Sequence, residues 1–208
     1  MKKAVEFLRP VGWLVIFILL QSACVWPAVK LTGSTVSGML AGLALSNILM
    51  IGFLLFRRVV PSGFRWSMKL GRDSLLAIPG MVVMMLIIGF ISEWLDLPDT
   101  MGDTFEELIK GCPFISVVVL GMLGPAGEEF LFRGAIQSWF VRQGVSPYVA
   151  IICSAAIFGI IHINPAQVFF AFCMGLYLGF VYYKTGSLVP AIVAHIVNNS
   201  YVVISMLI

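Results

Sequence analysis

With 208 residues, 60% of them hydrophobic and 11% charged, the chain is far from an ordinary soluble domain, in which about 25% of residues are charged. Its repeated apolar stretches, each long enough to cross a hydrocarbon core of about 30 Å, exclude a soluble fold, and the lack of alternating strands excludes a membrane barrel. The net charge of +3 does not indicate nucleic acid, because the basic residues are distributed as topology signals; the lipid bilayer is the expected partner.

Lys2, Lys3 and Arg9 precede an apolar run from Val11 to Val29. This resembles a signal sequence, and Gln21-Ser22-Ala23-Cys24 comes near a lipoprotein cleavage box. Gln stands where Leu is expected, however, and further spans follow, so the segment reads as a first transmembrane helix. A turn at 30–34 leads to a second span, 35–56, in which Gly38, Gly42 and Ser46 form a small-residue seam for close helix packing. A basic loop follows with Arg57, Arg58, Arg65, Lys69 and Arg72, and Pro61, Gly63 and Trp66 among them. It marks the cytoplasmic side and also suits a headgroup surface.

After a third span, 74–95, the charge changes sign. Glu93, Asp96, Asp99, Asp103, Glu106 and Glu107 face only Lys110, which predicts a solvated exterior loop rather than a metal site. The fourth span, 114–141, is interrupted by Gly124-Pro125, where the missing proline donor predicts a kink. The fifth runs from Ser146 to Ile163, with Asn164 and Pro165 as cap and first residue of the sixth, 165–183. Gly175 and Gly179 lie four apart in that span. A tight turn over Lys184-Thr185-Gly186-Ser187 leads to the seventh, 188–208. The expected fold is an all-α polytopic transmembrane bundle of about seven spans, with the active site inside the membrane. It forms one domain over 1–208, with three N-terminal spans and their loops in 1–110 and a catalytic four-helix core in 111–208. Cys24, Cys112, Cys153 and Cys173 show neither ligand spacing nor a disulfide framework.

Charged groups at bilayer depth must face protein or water, since each costs roughly 2.5–3.5 kcal/mol against lipid by insertion scales. The fourth span carries three of them, Glu128, Glu129 and Arg133. Glu129 and Arg133 are i,i+4 and can pair; Glu128, turned by about 100°, is left without a local partner. The fifth span brings Phe158 and His162 on one face, the seventh His195 and Asn199. One imidazole in an apolar helix is more often structural. Carboxylates, two imidazoles and an amide on three spans together supply a base, a second proton carrier and hydrogen-bond donors, which amide hydrolysis needs. No serine or cysteine sits at a nucleophile elbow, so water is the simplest attacker.

The set Glu128-Glu129-x-x-x-Arg133, Phe158-x-x-x-His162 and His195-x-x-x-Asn199 resembles the CAAX-protease and bacteriocin-processing (CPBP) family of intramembrane endopeptidases. Phe132-Arg133-Gly134 and Thr185-Gly186-Ser187-Leu188 with Pro190 are similar to the same family. The resemblance covers roughly residues 115–200, and the first three spans show nothing specific. It implies that Glu128 with His162 activates a water, that His195 and Asn199 hold the oxyanion or complete the site, and that Glu129, Arg133 and Phe158 position these groups. It further implies a peptide or membrane-protein substrate. Members are described both as metalloproteases and as metal-independent glutamate proteases. Glu128, His162 and His195 are the candidate metal ligands; the set admits zinc, HExxH is absent, and a metal-free site fits equally. Nothing in the sequence points to an oligomeric state. A catalytically silent scaffold or immunity-type protein of the same fold is the alternative reading, and a small proton-coupled transporter the third. The single broken span counts against the transporter.

The Lys/Arg pattern predicts an integral membrane protein of the cell membrane, with its N-terminus in the cytoplasm and its C-terminus outside. Reporter fusions after Arg65 and Ile208 should read cytoplasmic and exterior respectively. Matching signals from both would break the seven-span arrangement.

Overall fold

The structure, a computed structural model, describes residues 9–60 and 68–208. Lys2, Lys3, Pro61, Gly63, Arg65, Trp66 and the side chain of Lys69 lie outside the described residues. The chain is an all-α polytopic bundle. Among the described residues, six helices are long and apolar enough to cross a membrane: α1 (Arg9–Thr32), α2 (Thr35–Phe56), the Gly71–Leu95 part of α3 (Met68–Leu95), α5 (Pro113–Arg142), α7 (Pro165–Thr185) and α8 (Leu188–Ser205). Two shorter helices are α4 (Gly102–Gly111) and α6 (Pro147–Ile160). One apolar cluster draws on all of these except α4, with Phe17, Leu54, Met81, Phe132, Leu178 and Ala194 among its members.

Three sequence expectations need correction. The fifth span is a helix of 14 residues, about 21 Å at 1.5 Å per residue, and so too short by itself for the hydrocarbon core. The acidic connector is not merely a solvated loop. It folds into α4, whose Phe105, Leu108 and Ile109 recur at i, i+3 and i+4. Leu108 and Ile109 are buried, while Glu106 and Lys110 pair on the exposed side. Ser116 Oγ donates to the Leu108 carbonyl at 3.2 Å, which fixes α4 against α5.

The third correction concerns Pro125, at which α5 continues without a break. The rod holds two π-helical stretches, Val117–Leu123 and Phe130–Gln137, on either side of an α-helical turn, Gly124–Glu129. Wider turns shift donors from the fourth preceding carbonyl to the fifth, and the Gly124 N–H accordingly reaches the Val119 carbonyl. In an α-helix the Leu120 and Gly121 carbonyls would receive residues 124 and 125. Gly124 has shifted and Pro125 has no N–H. Both carbonyls are served from α8: Asn199 Nδ2 donates to Leu120 at 3.4 Å, and Ser200 Oγ to Gly121 at 3.3 Å.

Asn164 does precede α7, but its side chain makes no cap bond there. It donates instead to Asp99 Oδ1 at 2.7 Å and accepts from the Thr100 N–H at 3.4 Å, while the Ala166 N–H meets the Pro98 carbonyl. The α6–α7 turn is thereby stapled to the acidic connector. The Met101 N–H first, and then the Asn164 amide, hold the Asp99 carboxyl below its ordinary range. Because that pKa is depressed, the stabilisation is present above the unfolded value and is lost as pH falls through the folded one.

The α1–α2 hairpin rests on the predicted seam. A Cβ on Gly38 or Gly42 would fall onto the backbone of Val29 or Val25, whereas one on Gly52 would meet nothing within 4 Å. Gly42→Leu should therefore cost at least the 1–3 kcal/mol of an overpacked core. In detergent it should lower the melting temperature by several degrees, and Gly52→Leu should leave it unchanged. Equal shifts would show that the seam does not hold the hairpin.

Candidate active site

Glu129 is the most enclosed charge, with 0% of its side chain exposed, and Arg133 one turn on is exposed by 1%. The expected pair is present: Arg133 Nη1 donates to Glu129 Oε1 at 2.8 Å. Arg133 Nη2 donates to the Gly175 carbonyl at 3.1 Å, and one turn later Gln137 Nε2 donates to Gly179 at 3.0 Å. These rungs bind α5 to α7. The missing side chains of Gly175 and Gly179 also permit close approach of α6, since Cβ atoms there would press on Ala155 and Ile151.

The same Glu129 oxygen takes a second charge-bearing partner, His195 Nδ1 on α8, at 2.8 Å. An ionised carboxylate can only accept, so Nδ1 is the donor in this bond and Nε2 is the ring nitrogen turned away from Glu129. His195 Nε2 lies 3.7 Å from Glu128 Oε2. The expectation that Glu128 has no partner holds along its own helix and fails across helices: α8 packs on α5 and brings the imidazole to it. Glu128 keeps 23% of its side chain exposed, so it is the carboxylate of the pair that a water or substrate can reach.

His162 stands at the end of α6. Its Nδ1 bonds the Phe158 carbonyl at 2.8 Å, which leaves Nε2 as the free nitrogen. Phe158, fully buried, links the two histidines: its ring meets His162 at 5.0 Å and His195 at 5.9 Å, both edge-on. The Arg133 guanidinium covers the same ring at 4.8 Å, within cation–π range, and Phe132 lies 4.9 Å away. Asn199 donates to Leu120 and accepts from Asn198 Nδ2 at 2.9 Å.

Glu128, His162 and His195 do not gather as metal ligands; among the described residues no group of three or more His, Cys, Asp or Glu is placed to hold a metal. The common neighbour of the two imidazoles is an aromatic ring. His195 already commits one nitrogen to Glu129.

Besides Gln137, two further buried amides lie near the site without having stood out in the sequence. Asn198 is 1% exposed, and its Oδ1 has no hydrogen-bond partner among the described residues. Asn47 on α2 donates to Leu43 at 2.9 Å, while its Oδ1 is likewise unpartnered and lies against Gly127, where a Cβ would collide with it. Gly127 thus lets α2 approach the residue next to Glu128. The available signal was an amide within an apolar span, which is costly unless it is used.

Residues 110–201 match the family model described as type II CAAX prenyl endopeptidase, Rce1-like. This stretch, somewhat less than half of the chain, is similar to that family. A Bacillus subtilis (strain 168) protein named "Putative membrane peptidase YdiL" is 30% identical over 101 residues, which are 49% of this chain and 41% of the relative. The match thus spans about two fifths of that relative's length. No solved structure matches the chain. The matched stretch contains Glu128, Glu129, Arg133, Phe158, His162, His195 and Asn199, whereas Asn47 comes from outside it.

Removing Arg133 alone strands Glu129, and removing Glu129 strands Arg133. Breaking a buried pair in this way costs about 3–5 kcal/mol. Arg133→Ala and Glu129→Ala should each lower the melting temperature strongly in detergent, and the double variant Glu129→Leu/Arg133→Met should recover part of the loss. Additive losses in the double variant would show that the pair is not coupled.

Proposed function

We propose that the protein is an intramembrane endopeptidase that hydrolyses peptide bonds of membrane-associated proteins or peptides with a water activated by Glu128. The observation that carries the reading is the chain Glu129–His195–Glu128. A wholly buried carboxylate holds the imidazole by Nδ1, and Nε2 of that imidazole faces a second, accessible carboxylate. The logic is that of a carboxylate–histidine–nucleophile triad with water in the third place.

In this mechanism one water donates to Glu128 and to His195 Nε2, so that its own lone pair points at the substrate. Glu128 takes the proton as the water oxygen bonds to the scissile carbonyl carbon. The second amide hydrogen of Asn199 Nδ2 donates to the developing oxyanion. Collapse returns the Glu128 proton to the leaving nitrogen as the C–N bond breaks. His162, with Nε2 free, serves as the second proton carrier. Glu129, Arg133 and Phe158 touch no reacting atom and position those that do. Every step is carried by side chains of this protein, without a bound metal.

The substrate is a peptide or membrane protein reached from the bilayer, and no nucleic acid takes part. The basic ends at 57–58 and 142 support a proposed orientation in the cell membrane with the N-terminus in the cytoplasm and the C-terminus outside. The site residues, with 111–208 as catalytic core, act within one domain together with the N-terminal spans.

Glu128→Gln should keep the melting temperature of the parent protein and lower cleavage of a membrane-embedded peptide by about 10²–10⁴-fold, the contribution of a general base. Near-normal cleavage by this variant would remove Glu128 from the mechanism. Chelator-treated, metal-free protein should retain full activity; loss on chelation with recovery on adding zinc would overturn the metal-free reading.

A further inference from the structure

A large pocket of about 1130 Å³ opens at the opposite end of α5 from α4, and none of the proposed catalytic residues lines it. It is built where four candidate spans end on one side of the bundle: the start of α1, and the ends of α2, α5 and α7. Arg9, Arg57, Arg58 and Arg142 line it, and among the described residues no Asp or Glu does. Among the described residues, Arg57, Arg58 and Arg142 take part in no ion pair. Arg9 and Arg142 are close enough for their like charges to act on one another.

The floor has a different character. Trp13 and Ile16 lie one and two turns into α1, and Phe53 one turn into α2, so the pocket continues from cationic rim to apolar wall at acyl-chain depth. Trp139, Tyr182 and Tyr183 line it as well. Aromatic side chains of this kind belong at the headgroup level.

Arg58 adds an independent observation. α2 ends in a Schellman turn, with the Arg58 N–H on Leu55 and the Val59 N–H on Leu54. The residue at the left-handed position of this turn is ordinarily glycine; here it is Arg58, at φ +50°. A side chain is kept where the backbone disfavours one, and it is a cation facing this pocket.

We propose that the pocket binds an anionic phospholipid, with its phosphate among Arg57, Arg58 and Arg142 and an acyl chain along Ile16 and Phe53. A water-soluble acidic peptide would use the arginines but has no need of an apolar wall running into the span. The proposal does not depend on the proteolytic activity.

The test uses the full chain in nanodiscs of phosphatidylcholine with or without phosphatidylglycerol, read by melting temperature and by lipid retained in native mass spectrometry. Phosphatidylglycerol should raise the melting temperature of the parent protein and be retained. In Arg57→Gln/Arg58→Gln/Arg142→Gln its affinity should fall by about a hundredfold, at about fivefold per basic residue. Arg58→Gly, which removes the backbone strain, should melt at or above the parent in phosphatidylcholine and yet respond less to phosphatidylglycerol. An unchanged phosphatidylglycerol response in both variants overturns the proposal. So does equal protection by inorganic phosphate, which would make the site one for a free anion. Binding of a poly-glutamate peptide without any preference for the lipid would likewise overturn it.

Discussion

One buried oxygen, Glu129 Oε1, holds the centre of this bundle together. It receives Arg133 from its own helix and His195 from α8, both at 2.8 Å, while Arg133 passes on to the α7 backbone and the Phe158 ring of α6. Four helices therefore meet through a single carboxylate that lipid would not tolerate. A charge taken this far from water stays charged only if its partners are placed for it. Those partners fix the relative registers of α5, α6, α7 and α8. The accessible carboxylate next door, Glu128, inherits its position from this arrangement.

The backbone of α5 supports the same centre by a different route. Its π-helical stretches and Pro125 release carbonyls inside an apolar bundle, where an unmet acceptor is costly. Asn199 and Ser200 meet two of them, and Ser154 of α6 meets a third, that of Phe132, at 3.0 Å. The irregular helix is thus tied to its neighbours at the points where it departs from α geometry. Asn199 consequently has a structural bond beside the donor role proposed for it.

Much of this was legible in the residues. Apolar length gave the spans, the i,i+4 spacing gave the Glu129–Arg133 pair, and the small-residue seam gave the α1–α2 contact. What escaped was set between helices. The registry of α8 on α5 decides that His195 reaches both carboxylates, and no local periodicity encodes it. The π-helical turns escaped because the same side chains suit α and π geometry, and only the hydrogen-bond partners differ. Asn47 escaped for a related reason: its amide was visible in an apolar span, but its opposition to Gly127 depends on how α2 crosses α5.

The short helix α6 has a consequence for the surrounding lipid. At about 21 Å it cannot by itself carry residues 161–164 across a bilayer with a core of about 30 Å. Ile160 and Ile163 are nonetheless largely exposed at its end. Such a hydrophobic mismatch is met by thinning of the adjacent leaflet or by polar groups drawing water down, and here Asn164 and Asp99 supply the polar groups. The bilayer is then thinnest beside His162, the point from which a water molecule has the shortest path to the proposed site.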